Sequence, residues 1–461
     1  VAALGSDQVQ ALSTAQIRAL EVDDMHALSS ANLGELSSSQ LLALSTAQLD
    51  AFSPGQLAGL TSNQLAALTT VQLASLDPAD LASLTAAQLA GLRAAQVSAL
   101  TTLQVASLET ADLNAFSTEQ IRAMGTAQMV ALDANLVGAI NTTPAQALST
   151  AQLRAIEAED MAALATASLA ALSTAQIRSL TENQLGAFTG EQVATLTPAQ
   201  IAALSTAQMA AIDSSLLAGM STSQFSQMST AQIADMGTDQ IAQLDTAAIA
   251  SLSTAQVAAL RTAQIEALGA EALQALTTAQ AAALSVNQVR AIETADLAVM
   301  ETADIAALGT AQVAGLLDAQ INALSAEQLG ALKTAQIRAL TNSQLALLDA
   351  DDINALGTHQ LAALSTQQVA ALNTAQLAAL GSEDLAALDS KQLNALSGAN
   401  IGALAVDAVA GFTTQQVATL GTEQLAGLQT QQLAAMETAD LAALTTAQIR
   451  ALSLPQLAAV D

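Results

Sequence analysis

Ser13-Thr14-Ala15-Gln16-Ile17-Arg18-Ala19-Leu20 is one period of this chain, and the remainder is that octad varied. Residues 5 to 460 are 456 residues, or 57 octads, with no insertion, deletion or phase slip. The fifth position is aliphatic, Met or Phe from Val9 to Leu457, weakened only to Ala at Ala145 and Ala281. The eighth is apolar throughout, from Leu12 to Val460. A spacing of three puts both on one helix face, whereas an odd spacing would put them on opposite faces of a strand. A continuous helix is excluded as well. Eight residues turn a helix by about 800°, roughly 80° beyond two turns, so the apolar stripe would drift around it. The helix must break once per octad.

The break falls at the first position, which in most octads holds Ser, Thr, Asp, Glu, Gly or Asn. Ser, Thr, Asp and Asn cap a helix start by accepting from first-turn amides. Glu21, Glu109, Glu157, Glu293 and Glu437 suit the positive end of the helix dipole. Gly125, Gly237, Gly309, Gly357 and Gly421 are expected to be left-handed residues that close the preceding helix. Pro54, Pro78 and Pro198 all stand at the second position, the first helical residue, where proline sacrifices no hydrogen bond. The fourth position is then N3 and carries mostly Gln, sometimes Asp. Ser-x-x-Gln is a capping box, with the Gln side chain reaching back to the N-cap amide. The seventh position, mostly Ala, lets neighbouring helices approach. Variable residues at the third and sixth positions, including His26, His359 and Lys391, are placed toward solvent.

Fixed-period repeats build solenoids in which each unit touches only its neighbours. The expected fold is therefore all-α: a superhelical solenoid of short two-turn helices of about seven residues, one per octad. It forms a single array over residues 1–461 with no domain boundary. Two irregularities stand out. Pro144 at a fourth position is expected to distort its octad locally, and Ala405-Val406-Asp407-Ala408 lacks both cap and Gln. Arginine recurs at the sixth position (Arg18, Arg122, Arg154, Arg178, Arg290, Arg338, Arg450), which suggests a weak ion pair or hydrogen bond across the junction to the next octad.

The residues offer no catalytic constellation. His26 and His359 are far apart, and there is no Cys, so no transition-metal site is expected. Asp349-Ala350-Asp351-Asp352 and Glu157-Ala158-Glu159-Asp160 lack the loop and ligand number calcium needs, and read as helix caps. The serines have no His or Lys at a repeated offset to activate them. All five Phe residues occupy fifth or eighth positions and belong to the core. The expectation is a chain that is not an enzyme and carries no cofactor.

Composition narrows the partners. A net charge of −29 disfavours phosphate backbones and anionic membranes. Ser, Thr or Gln recurs in nearly every octad, which excludes a transmembrane helix. No signal peptide is visible at Val1, and the chain starts and stops inside the pattern, as a processed product or a segment of a longer array would.

Thr197-Pro198-Ala199-Gln200-Ile201-Ala202-Ala203-Leu204 resembles the opening helix of repeats in TAL-effector DNA-binding proteins. That resemblance implies helix geometry alone, because the second helix, the longer period and the base-reading loop are missing and the charge has the wrong sign. Over its whole length, as in Leu148-Ser149-Thr150-Ala151-Gln152-Leu153-Arg154-Ala155, the chain resembles the Ala/Thr/Gln/Leu-rich repeat regions of very large bacterial surface and adhesin-type proteins. It implies an exported, extracellular, cell-surface role of a structural kind.

The expected function is a structural subunit of a bacterial filament, stalk or sheath, with the chain itself as partner. Leu4, Val9 and Leu12 at one end should match Leu452, Leu457 and Val460 at the other in a head-to-tail contact, which grows an open fibre unless it closes into a ring. The alternative is a binding surface in which threonines at the second position form a ladder toward ice or surface glycans.

Overall fold

The computed structural model describes residues 3–460. Among these it forms 57 α-helices and no strand, from α1 (Ser6–Gln10) to α57 (Leu454–Leu457), one per octad. The helices run four to six residues, shorter than the seven expected. The difference arises at the octad's end. The eighth residue already leaves the helix: Leu20 sits at φ −66°, ψ 135°, and its N–H closes on the Ile17 carbonyl at 3.3 Å. The next residue is extended too, as in Ser13 at φ −68°, ψ 157°. Two successive extended residues turn the chain and free it to start again.

That ending needs no left-handed residue, and the glycine expectation is corrected accordingly. No glycine among the described residues has a positive φ. Gly125 is an extended N-cap at φ −82°, ψ 163°, and its N–H donates to Gln128 Oε1 at 2.7 Å. The remaining cap readings stand. Ser149 Oγ accepts from Gln152 N at 3.3 Å while Ser149 N donates to Gln152 Oε1 at 2.8 Å. Pro54, Pro78 and Pro198 each open a helix.

The chain divides into two compact units, Val1–Met236 and Gly237–Asp461. Within each, helix n packs on helix n+3, as α12 (Ala94–Ser98) does on α15 (Thr118–Ala123) and α35 (Thr278–Ala283) on α38 (Thr302–Ala307). Burial repeats with the octad. In residues 101–108, Gln104, Val105 and Leu108 are buried, Ser107 is half-buried, and the other four are exposed. Fifth and eighth positions form the core along each unit, and all five Phe residues lie in it. The seventh position rests on the second position three octads earlier. A Cβ on Gly59 would stand 2.7 Å from Ser30 Cβ, which explains why this site takes small residues.

The irregular octads are absorbed. α18 (Thr142–Ala147) runs its full six residues through buried Pro144; the expected distortion is confined to its start, which has neither a side-chain cap from Asn141 nor a capping box. Around Ala405 the helix α51 (Val406–Val409) shrinks to four residues and has no cap.

Candidate functional site: a glutamine ladder between turns

The fourth position does more than cap. Gln104 is fully buried. Its Oε1 accepts from Thr101 N at 2.9 Å, closing its own capping box. Its Nε2 then donates to the carbonyls of Leu73 at 3.0 Å and Leu76 at 2.8 Å, 31 and 28 residues earlier. These are the fifth and eighth residues of the octad four before. The same pair of bonds recurs along both units, for example from Gln184 to Leu153 and Ile156, and from Gln320 to Val289 and Ile292. It passes through the Pro144 octad, where Gln176 bonds the carbonyls of Ala145 and Leu148 at 3.0 and 2.9 Å.

The ladder fixes the winding. Helix n packs on n+3, and the glutamine of octad n+4 reaches back to octad n, so one turn takes between three and four octads. Of the two bonded carbonyls, that of Leu73 also accepts from Leu76 N at 3.3 Å, whereas that of Leu76 lies past the helix end and takes no backbone N–H among the described residues. Each amide therefore caps two helices at once, its own start and the end of another one turn away.

Ionisable side chains sit around this scaffold. Asp349 and Asp352 cap each other reciprocally, with Asp352 N to Asp349 Oδ1 at 2.9 Å and Asp349 N to Asp352 Oδ2 at 3.1 Å. His26, His359 and Lys391 are exposed. Among the described residues no three His, Cys, Asp or Glu side chains gather as a metal site would require. No helix among them is long and apolar enough to cross a membrane. Arg122 Nε reaches across the turn to the Ala147 carbonyl at 3.4 Å instead of toward the next octad.

Shallow concavities repeat where one octad meets the next. One of about 510 Å³ is lined by Arg154, Arg178 and Glu182, and one of about 300 Å³ by Arg338, Lys391 and Asp389. A third, of about 430 Å³, has Glu109 and Asp133 at its wall. The same place in the repeat thus carries opposite charges, and no single ligand chemistry belongs to it.

The six residues expected at assembly contacts lie in different settings. Val9 is fully buried and Leu452 is 7% exposed. Leu4, Leu12 and Val460 are half-buried, whereas Leu457 is 39% exposed. The asymmetry has a cause. The fifth position of the first turn is covered by the turn that follows, and that of the last turn is not.

Ala275-Leu276-Thr277-Thr278-Ala279-Gln280 spans one junction, from the end of one octad to the amide that bonds the previous turn. This six-residue motif defines the ALTTAQ repeat, whose pattern matches residues 17–53, 46–78, 73–109, 105–142, 153–190, 161–198, 209–246, 243–270, 289–326, 326–358, 348–382, 377–414 and 433–461. The chain belongs to the ALTTAQ repeat family. No curated protein matches this ALTTAQ array. Solved structures similar to it include a homology model of the full-length AP-3 complex in an intermediate open conformation, at 11% identity and TM-score 0.18, covering 95% of this chain and 80% of that one. Another is the structure of APUM23-GGAUUUGACGG, at 11% identity and TM-score 0.20, covering 93% and 94%. At these TM-scores neither informs the fold of the ALTTAQ array.

Proposed function

We propose that this ALTTAQ array is a structural subunit of an extracellular filament, stalk or sheath, joined turn on turn by the contacts that hold its own turns together. The observation that carries the reading is the polarity of the ladder. Every turn offers glutamine amides on one face and, on the other, helix-end carbonyls beside fifth-position aliphatics. At the first described turn Gln8 and Gln16 are exposed. At the last, Ile449 and Leu457 are 38% and 39% exposed, whereas Val417, Leu425 and Leu433 at the same position are at 0%. One face is thus a donor surface and the other its acceptor, and a second copy stacked end-on would complete both. The surface location rests on the likeness of the repeat to those of large bacterial surface proteins, and on a charge of −29 that keeps flanks apart. The proposal includes no catalysis and no cofactor.

Sedimentation velocity and negative-stain imaging of the chain across a concentration series test it. End-to-end oligomers should lengthen with concentration, and Leu457→Asp with Val460→Asp should shorten or abolish them while leaving the circular dichroism unchanged. A compact monomer at every concentration, or a variant that assembles like the parent, overturns the reading. The alternative, a ladder of threonines toward ice or glycans, draws on the exposure of Thr102, Thr118, Thr126 and Thr150, and thermal hysteresis or glycan-array binding would reveal it.

A further inference from the structure

Nine octads carry Asp where most others carry the ladder glutamine: Asp24, Asp80, Asp112, Asp160, Asp296, Asp304, Asp352, Asp384 and Asp440. The substitution is coupled to the first position. All six octads that begin with Glu have Asp at the fourth, and two more of the nine begin with Asp. Two like charges three residues apart on one short helix repel, so their co-occurrence is not explained by capping. A carboxylate also reverses the chemistry between turns. The glutamine amide donates to two carbonyls, whereas an ionised carboxylate only accepts.

Asp304 shows the conflict undiluted. It is 2% exposed, and its Oδ2 is buried with no hydrogen-bond partner. The ladder register sets it against the carbonyls of Leu273 and Leu276, which a glutamine would bond, as Gln312 bonds those of Ala281 and Leu284. Burial, then the charge of Glu301, pushes its carboxyl up to about 6. The helices packed on α38 do little to offset this. α35 has no ionisable side chain, and the only one on α41 (Ala326–Ala331) is the exposed Glu327. In the octad four earlier the only ionisable residue is the exposed Glu271. No cation faces Asp304 from any of these elements.

We propose that the Glu/Asp octads are proton-operated latches, in which a protonated Asp304 donates its one O–H to a carbonyl of the turn below and takes over one of the two bonds of the ladder glutamine. Above neutrality the carboxylate faces carbonyl oxygens and the turn is loosened at that point; on acidification it closes. A proton fits better than a metal ion, because the buried oxygen is sealed and a proton needs no room. Asp112, Asp160 and Asp296, whose carboxyls burial also raises, belong to the same class. Asp440 departs from it, since the Thr414 hydroxyl already donates to it at 2.8 Å.

Hydrogen exchange of the whole chain between pH 7.5 and pH 5, corrected for intrinsic rates, tests the latch. A group near 6 when folded and near 3.8 when open gives stability that is full below 3.8 and lost as pH rises through 6. Protection over residues 269–308 should therefore rise about tenfold on acidification relative to octads with glutamine. Asp304→Gln should be protected at both pH values, and Glu301→Gln should move the midpoint to lower pH. Protection that ignores pH, or a Gln variant less protected than the parent at pH 7.5, overturns the proposal. So does calcium chloride at pH 7.5 giving the full effect of acid, reversed by a chelator, because a cation and not a proton would then occupy the latch.

Discussion

Gln104 makes three hydrogen bonds while wholly buried, and no other side chain fits them all. Asn, one methylene shorter, reaches only the carbonyl 28 residues back, as Asn32 does to Leu4 at 3.1 Å and Asn400 to Leu372 at 3.4 Å, and Glu would keep the cap but present charge to two carbonyls. Gln104→Glu should therefore destabilise its turn by about 2–4 kcal/mol at pH 7, from unpaired buried acceptors and a desolvated charge. The loss should shrink at low pH as the new carboxyl takes a proton. Local hydrogen exchange over residues 73–104 reads both effects, and a variant as well protected as the parent at pH 7 would mean that the cross-turn bonds contribute little. The sequence carried a trace of this. A capping box accepts Glu as readily as Gln, yet no octad has Glu at the fourth position. Capping alone leaves that exclusion unexplained; a carboxylate with the reach of glutamine would lie against two carbonyls of the turn below. Half of each glutamine's role was thus legible, the half satisfied within its own octad. The other half joins residues 28 and 31 apart, and no local pattern names that partner.

At the scale of the element, a four- to six-residue helix is too short to persist on its own. Its caps and its stacking on the helix three octads away make up the deficit. The tightest stacking observed is between α50 (Gly398–Gly402) and α53 (Thr422–Gly427), where a Cβ on Gly427 would collide with the Gly398 backbone. Backbone cannot swing aside as a side chain can, so Gly427→Ala should cost about 1–3 kcal/mol. Gly55→Ala is the control. A Cβ there meets nothing within 4 Å, and lost chain entropy in the unfolded state should stabilise that helix by about 0.4–1 kcal/mol. Thermal melts of the two variants in opposite directions are the expected result; a neutral Gly427→Ala would mean the helices can separate without loss. The helix starts were readable because Pro54, Pro78 and Pro198 and the Ser-x-x-Gln pattern agree on one site. The helix ends were not, because an eighth-position Leu that turns extended looks in sequence like any core leucine.

The whole molecule follows from register. Each ladder glutamine donates to the octad four before its own, so removing a complete octad leaves each later glutamine facing an equivalent carbonyl pair. Deleting residues 93–100 should leave helicity per residue and the melting profile nearly intact. Deleting residues 97–100 alone puts first and fifth positions out of phase across the cut, and should melt the neighbouring turns. Circular dichroism separates the two outcomes, and equal damage from both deletions would refute the interchangeability of octads. The period of eight was plain in the residues; the number of octads in a turn was not. It is decided by the two extended residues at each junction and by how closely seventh and second positions meet, quantities that depend on backbone angles.

The direction of the ladder bears on how such a chain comes into being. Each glutamine looks backward, toward residues already made when a ribosome adds it or already emerged when a pore releases the N-terminus first. A newly delivered octad thus finds its acceptors waiting on a finished surface. The two ladder bonds of each glutamine close loops of 28 and 31 residues whatever the total length, so contact order relative to length falls as octads are added. Folding can advance as a travelling front that never waits for distant chain, and the length of the array is not limited by the search for its fold.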